Sequence, residues 1–157
     1  MKKFLISTLV ILFLLALATG MSRSRSSQCP NFSTANIQVG STTFTVGQAT
    51  TANQQARGLG GCPHVPDRSG LYFPYYPPQT ASFWMHGMLI PIDIIWIKEG
   101  TVVGIEANVP PPANPITTDI PTYPSPGKIT GVLEVAAGSA QKYGISIDDP
   151  AILTDKR

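Results

Sequence analysis

The sequence predicts a mainly β (α+β) domain with a compact antiparallel, barrel-like sheet and two short helices. Short apolar runs recur along the chain, turn signals rich in Gly and Pro separate them, and the helical signals are only one or two turns long. The chain has 157 residues, which is enough for a single domain behind a targeting segment. We therefore expect one β-rich domain over residues 32–157.

Residues 1–20 follow the order of a secretory signal peptide. A lysine pair precedes an apolar run over residues 4–17, and small residues with an Ala-x-Ala site follow it. An uncleaved N-terminal anchor is the alternative, because arginines at positions 23 and 25 are unusual just after a cleavage site. Both readings predict an extracytoplasmic domain that is periplasmic, secreted or anchored at the outer face of the cytoplasmic membrane.

The chain carries little charge outside that segment. Charged residues make up 13% of the chain, about half of the usual share. The formal charge of +2 comes from Lys2 and Lys3, so the remainder is balanced. This balance favours neither nucleic acid nor an anionic surface as a partner. We expect membrane contact only through the N-terminal segment, if that segment stays uncleaved.

A flexible Ser/Arg linker is predicted over residues 21–31, which have almost no apolar side chains. This linker contains Cys29, and the other cysteine of the chain is Cys62. Two cysteines in an exported chain predict a disulfide. The bridge would fasten the linker to the domain.

The first part of the domain is predicted as a hairpin, a helix and a strand. Alternating runs over residues 36–39 and 42–46 flank a Gly-Ser turn. Thr51-x-x-Gln54 is a capping box that opens a short helix ending at Arg57, before Gly58. Residues 71–73 predict a short strand that enters a loop-forming patch of aromatic and proline residues over 74–78.

The most apolar stretch covers residues 82–98. Both of its alternating faces are apolar, which is typical of strands buried on two sides. Pro91 has no N–H to donate, so we divide the stretch into strands over residues 81–88 and 93–98. A tight turn at Glu99-Gly100 then leads to a partner strand over residues 101–108.

A long loop and three short elements complete the chain. Residues 109–127 contain seven prolines and no periodicity, which predicts a binding loop or a lid. A strand over 131–136, a helix over 138–143 and a last strand over 145–153 follow.

Several short motifs occur in one order along the domain. They are Arg57-Gly58-Leu59, Gly70-Leu71-Tyr72-Phe73, Ser82-Phe83-Trp84-Met85, Ile90-Pro91-Ile92-Asp93, Asn108-Val109-Pro110, Tyr123-Pro124-Ser125 and Leu133-Glu134-Val135. In this order they resemble domain of unknown function 192, a bacterial and archaeal family often found behind a signal peptide. Many members have a Lys-Asn pair where this chain has His86-Gly87. The resemblance implies a compact β-rich domain with small helices, and it implies no established activity.

Asp93 is the most conspicuous charge, because an ionised carboxylate among isoleucines must be paired or hydrogen-bonded. Arg57 is its expected partner, since its guanidinium suits a carboxylate. Glu106, Glu134 and the Tyr123 hydroxyl are candidates to join them. This cluster is interpreted either as a structural network, which we favour, or as a pocket for a ligand or for acid–base catalysis.

A second candidate site combines Met85, His86 and Met88 behind Trp84. Thioether and imidazole groups suit Cu(I) outside the cytoplasm, so copper binding is one hypothesis. On a regular strand, however, Met85 faces away from His86 and Met88. The alternative is that the methionines fill the core. No other cofactor is predicted.

The third candidate is an aromatic surface on the two proline-rich segments, formed by Tyr75, Tyr76 and Tyr123. Rigid aromatic rings bind sugars or extended peptides well, although the same rings can cap the ends of a barrel. No nucleophile elbow, zinc-protease pair, phosphate loop or dinucleotide fingerprint occurs in the sequence. Our leading hypothesis is a binding module for a glycan, a peptide or another small ligand. A copper-binding protein and an enzyme with a carboxylate-lined pocket are the alternatives.

Overall fold

The computed structural model describes residues 29–114 and 119–155. The predicted signal segment and residues 21–28 of the predicted linker lie outside the described residues. Within the described part, the chain forms nine strands and two short helices. In order these are β1 Ser33–Val39, β2 Thr42–Gln48, α1 Ala52–Arg57, β3 Ser69–Gln79, β4 Ser82–Trp84, β5 Ile92–Lys98, β6 Thr101–Val109, β7 Thr122–Pro124, β8 Ile129–Ala136, α2 Ser139–Lys142 and β9 Ala151–Asp155.

Seven of the strands form one curled half-barrel sheet in the order β6-β5-β8-β3-β2-β1-β9. The predicted mainly β class with two short helices is confirmed. The pair β2–β3 is parallel, whereas the other neighbours in the sheet are antiparallel. A parallel pair needs a long crossover, and the segment that carries α1 supplies it. Among the described residues, no helix has the length and apolar character needed to cross a membrane.

The sheet separates two apolar cores. The first lies on the side that carries α2 and includes Ile37, Phe44 and Leu133. The second lies on the opposite face of β3, β5 and β8, beneath α1 and β4, and includes Phe73 and Trp96. All residues from 92 to 97 are buried, so the prediction of burial on two sides is confirmed for β5.

The predicted strand over residues 81–88 is shorter in the structure. β4 ends at Trp84, and the Met88 N–H donates to the Met85 carbonyl oxygen across a turn in which Gly87 has φ 71°. The turn ends the alternation of faces. As a result Trp84 and Leu89 are exposed, while Met85 and Met88 are both buried.

The aromatic-proline patch over residues 74–78 was predicted as a loop, and this prediction is wrong. It is the second half of β3, and its pairing with β8 is irregular between Pro74 and Gln79. Prolines have no N–H for the ladder, so the strand stays extended without regular pairing. The proline-rich segment 109–127 likewise contains a strand, β7, which pairs with β4.

Local turn and cap signals appear where the sequence places them. The hairpin β1–β2 turns at Gly40, and the register pairs Val39 with Thr42. In the capping box, the Gln54 N–H donates to Thr51 Oγ1 at 3.3 Å and the Thr51 N–H donates to Gln54 Oε1 at 3.0 Å. Helix α1 therefore begins and ends as predicted, although its six residues bury no side chain.

Candidate functional site

A disulfide joins Cys29 to Cys62, with the two Cα atoms 4.7 Å apart. The predicted bridge is therefore present in the structure. Cys62 is completely buried in the core beneath α1, so the bridge fastens the start of the described chain to that core. A bridge of this kind is typical of proteins that fold in an oxidising compartment.

Glu134 lies in the middle of β8, and only 4% of its surface is exposed. It pairs with Leu71 on one side and Ile94 on the other, and it faces α1. The Leu59 N–H donates to its carboxyl group. Oε2 has no hydrogen-bond partner among the described residues. Burial raises the pKa of Glu134 to about 8, and the hydrogen bond from Leu59 opposes the shift.

The turn after α1 brings the chain over this carboxyl group. Gly58 has φ 52° and ψ −136°, a conformation that L side chains rarely adopt. A Cβ atom at this position would lie 3.5 Å from Glu134 Oε2. Glycine therefore allows the backbone to pass close to Glu134, and the next residue, Leu59, supplies the N–H. This geometry gives a physical reason for the Arg57-Gly58-Leu59 motif.

A small cavity lies above Glu134 and opens beside a cleft. The cavity has a volume of about 20 Å³, which is room for about one water molecule, and Arg57, His86 and Met88 line it. The cleft has a volume of about 240 Å³ and lies between α1 and β4, lined by Tyr75 and Trp84 among others. Burial, followed by the charge of Glu134, raises the pKa of the Tyr75 phenol. Tyr75 and Glu134 therefore belong to one electrostatic environment.

Trp84 forms part of the wall of both spaces, and 51% of its surface is exposed. Its ring lies 5.4 Å from the His86 ring, with 35° between the two planes. The neighbouring Phe83 packs edge-on against Phe73 and Trp96, which anchors β4 to the core. Trp84 is thus an exposed aromatic residue on a firmly packed strand.

Asp93 lies on the opposite face of the sheet from Glu134. Its carboxylate accepts hydrogen bonds from the N–H groups of Asn108 at 2.8 Å, Gly138 at 3.1 Å and Ala140 at 2.8 Å. Arg57 instead lines the cavity over Glu134. The predicted pair between Asp93 and Arg57 is therefore wrong, because the sheet lies between them. Asp93 is completely buried, and its hydrogen bonds join β6 to the start of α2.

The predicted aromatic surface is not continuous. Tyr75 lines the cleft beside α1, whereas Tyr123 lines a separate hollow of about 520 Å³ together with Met85. Tyr76 is 98% exposed and lines neither space. The ladder between β4 and β7 pairs Phe83 with Tyr123 and lies between the two sites.

The candidate copper ligands are not brought to one cavity. Met85 lines the hollow beside Tyr123, whereas His86 and Met88 line the cavity over Glu134. In the described part of the chain, no group of three or more His, Cys, Asp or Glu side chains is arranged to hold a metal ion.

Glu106 is half-buried on β6 and pairs with Ile94 of β5. Ile94 pairs with Glu134 on its other edge, so strand β5 lies between the two glutamates.

The sequence predicts only a secondary role for Glu134, as a candidate neighbour of Asp93. Its signal was a lone carboxylate between apolar residues of a strand, in Leu133-Glu134-Val135. Asp93 carries the same signal, and nothing in the sequence distinguishes the two. The register of β5 and β8 places Glu134 on the face of the sheet beneath α1 and Asp93 on the opposite face.

The comparisons with known proteins agree with this fold. The profile of domain of unknown function 192, described as an uncharacterized ACR, matches residues 34–152. No curated protein matches the chain.

Two solved structures are similar to this chain. A crystal structure of a protein of unknown function from Novosphingobium aromaticivorans has 31% identity and a TM-score of 0.68, over 76% of this chain and 84% of that chain. A crystal structure from Sinorhizobium meliloti, of a protein provisionally described as a transcription regulator, has 22% identity and a TM-score of 0.71. That match covers 79% of this chain and 96% of the other, and at this identity it shows the fold alone.

Proposed function

The chain belongs to the domain of unknown function 192 family, and for this member we propose an extracytoplasmic binding module for a small ligand. The proposed site is the cleft between α1 and β4 together with the small cavity beside it, and Glu134 lines the cavity while Trp84 lines both spaces. The export part of the proposal is supported by the signal-like order of residues 1–20 and by the disulfide between Cys29 and Cys62.

One observation carries the proposal, namely the unsatisfied Oε2 atom of the buried Glu134, which lies beside a cavity. A buried polar atom without a partner costs about 1–3 kcal/mol, and such atoms in native proteins call for an explanation. A polar group of a ligand placed in the cavity would satisfy this atom. Ligand sites of this kind combine apolar walls with a few convergent polar groups.

The exposed ring of Trp84 supports the same location. A large aromatic side chain that is half-exposed next to a cavity provides apolar contact area for a ligand, and ordering this rigid side chain costs little conformational entropy. Phe83 fixes the strand that carries it, so this wall of the site exists before the ligand arrives. Tyr75, whose side chain carries a hydroxyl group, also lines the cleft.

NMR titration of the protein produced from the full chain, with its disulfide intact, tests the location. The probes are methyl glycosides, cyclohexanol, cyclohexylammonium and cyclohexanecarboxylate. We expect at least one probe to shift the Leu59 amide and the Trp84 indole signals saturably, and Trp84→Ala to abolish the shift of the Leu59 amide. Tyr76→Ala is the matched control, because this ring lies outside the cleft and should leave binding unchanged. Shifts confined to residues outside the cleft, or no shift with any probe, would refute the proposal.

A further inference from the structure

Resting on the proposed function, we propose that the cleft takes one neutral, hydroxyl-bearing ring, a single sugar unit that is free or at the end of a glycan. One hydroxyl group would enter the cavity over Glu134, and one face of the ring would lie on Trp84. Three features of the described residues lead to this ligand class: the sizes of the two spaces, the hydrogen-bonding demand of Glu134, and the charges around it.

The two spaces differ sharply in size. The cavity over Glu134 holds about one group the size of a water molecule, because its volume is only about 20 Å³. The adjoining cleft, at about 240 Å³, is smaller than the roughly 300–1,000 Å³ typical of sites for drug-sized molecules. A ligand that fits both spaces is a single ring with a small polar substituent. An extended peptide would need a longer groove.

The Glu134 carboxyl group in the small cavity selects the substituent. Oε2 has no partner among the described residues, and burial raises the pKa of Glu134 to about 8, so the group is mostly protonated at neutral pH. A protonated carboxyl group both donates and accepts, whereas an ionised one only accepts. A hydroxyl group can donate or accept, so it satisfies Glu134 in either state. An ammonium group can only donate and a carboxylate can only accept, so neither offers both functions as a hydroxyl group does.

The charges around the cavity favour a neutral ligand. Arg57 also lines the cavity, so an entering cation would lie near a guanidinium group. A carboxylate group is larger than a water molecule, so it does not fit a cavity of about 20 Å³. Either ion would also lose its hydration among the apolar side chains of Leu59, Phe83 and Met88. A hydroxyl group avoids all of these costs.

Trp84 suits the remainder of such a ring. The strand that carries the indole is packed against the core, and the indole ring contacts the His86 ring. The indole therefore presents a flat surface next to the cleft. The C–H faces of a sugar ring are weakly positive and pack on the negative face of an aromatic ring. Ser82 and Tyr75 also line this cleft, and each carries a hydroxyl group that is a neutral partner for a bound ring.

The probe panel separates this inference from the proposed function. We expect methyl glycosides of glucose, galactose or N-acetylglucosamine to include the tightest ligand, bound at least about tenfold more tightly than cyclohexylammonium or cyclohexanecarboxylate. If a charged ring binds the cleft more tightly, the sugar inference is refuted while the proposed function stands. If nothing binds the cleft, both fail. A disaccharide series then distinguishes a free sugar from a glycan end, because added units should leave affinity unchanged only in the second case.

Variants of Glu134 test the predicted hydroxyl contact. Glu134→Gln keeps a group that donates and accepts, so we expect glycoside affinity within about threefold of the original protein. Glu134→Leu removes the partner, and we expect a loss of about tenfold, the worth of a typical hydrogen bond. Equal affinity in both variants would refute the contact. Should Glu134→Leu fail to fold, a Trp84→Ala variant that binds the glycosides as tightly as the original protein would refute the inference.

Discussion

Replacing Glu134 with glutamine should remove a pH dependence of folding stability that burial of this carboxyl group creates. Its pKa is raised from an ordinary 4.5 to about 8 in the folded protein. Above pH 4.5 the unfolded chain has lost this proton while the folded protein retains it until about pH 8. The unfolded state then binds fewer protons, so stability falls as pH rises through this window and becomes level above it.

The size of the effect follows from the shift of 3.5 between the two pKa values. Each pKa unit corresponds to about 1.4 kcal/mol, so Glu134 lowers the free energy of unfolding by about 3 kcal/mol between pH 4.5 and 7 and by about 5 kcal/mol by pH 9. Glutamine has almost the same shape and no charge. Glu134→Gln should therefore match the original protein near pH 5 and exceed its stability by several kcal/mol at pH 9.

Urea unfolding at pH 5, 7 and 9 measures this difference directly. With an m value of about 1.5 kcal/mol per molar urea, 3 kcal/mol corresponds to a midpoint shift of about 2 M. Taking the difference between the two proteins cancels other groups that titrate in the same range. A constant difference across the three pH values would show that the carboxyl group is not desolvated as the structure indicates, and would refute the reasoning.

Asp67→Asn is the control for this experiment. Asp67 lies on the surface, where hydrogen bonds from Lys142 and then Tyr143 hold its pKa below the usual value of 3.8. Its contribution to stability is present above that value and is lost as pH falls through the folded pKa. The slope between pH 5 and 9 should therefore be the same with and without this substitution.

Three further predictions concern the frame around the site. Gly70→Ala should destabilise the protein by about 2 kcal/mol or more, because a Cβ atom there would lie 2.3 Å from the backbone oxygen of Glu134. Gly127→Ala is the control and should be near neutral, because a Cβ atom there would have no neighbour within 4 Å. The urea unfolding midpoint measures both effects. Asp93→Asn should cost about 3 kcal/mol in the same assay, because an amide nitrogen would face backbone N–H groups. Cys29→Ser should lower stability by about 3.5 kcal/mol, since the bridge closes a loop with a sequence separation of 33. Losses below about 1 kcal/mol for any of the three would contradict its stated cause.

Features that depend on neighbouring residues could be predicted from the sequence. The capping box at Thr51 and Gln54 and the hairpin turn at Gly40 each involve contacts within a few positions. The burial of β5 on two faces followed from its unbroken apolar run. In all these cases the stabilising partner is close in the chain or is simply apolar, so the sequence contains the needed information.

Features that depend on register could not be predicted. Met85 and Met88 both face the core because a turn at Gly87 breaks the strand, and the single glycine that marks this turn is outweighed in the sequence by the apolar run around it. The prolines over residues 74–78 indicate a loop locally, yet β3 continues through them, and its pairing with β8 is irregular only between Pro74 and Gln79. A guanidinium is the obvious match for a buried carboxylate, so the sequence points to Arg57 as the partner of Asp93. In the structure, three backbone N–H groups are the partners instead.

Asp93 and Glu134 show why the candidate site is where it is. Both are lone carboxylates in apolar strands, and Asp93 pairs with Val135, the neighbour of Glu134. Since successive side chains of a strand point to opposite faces, the two carboxyl groups face opposite cores. Asp93 receives three backbone N–H groups at its face, whereas Glu134 receives one, from Leu59. Because Glu134 has fewer hydrogen-bond donors than Asp93, one of its carboxyl oxygens is left for a ligand to satisfy. For the same reason, ionisation of Glu134 destabilises the folded protein.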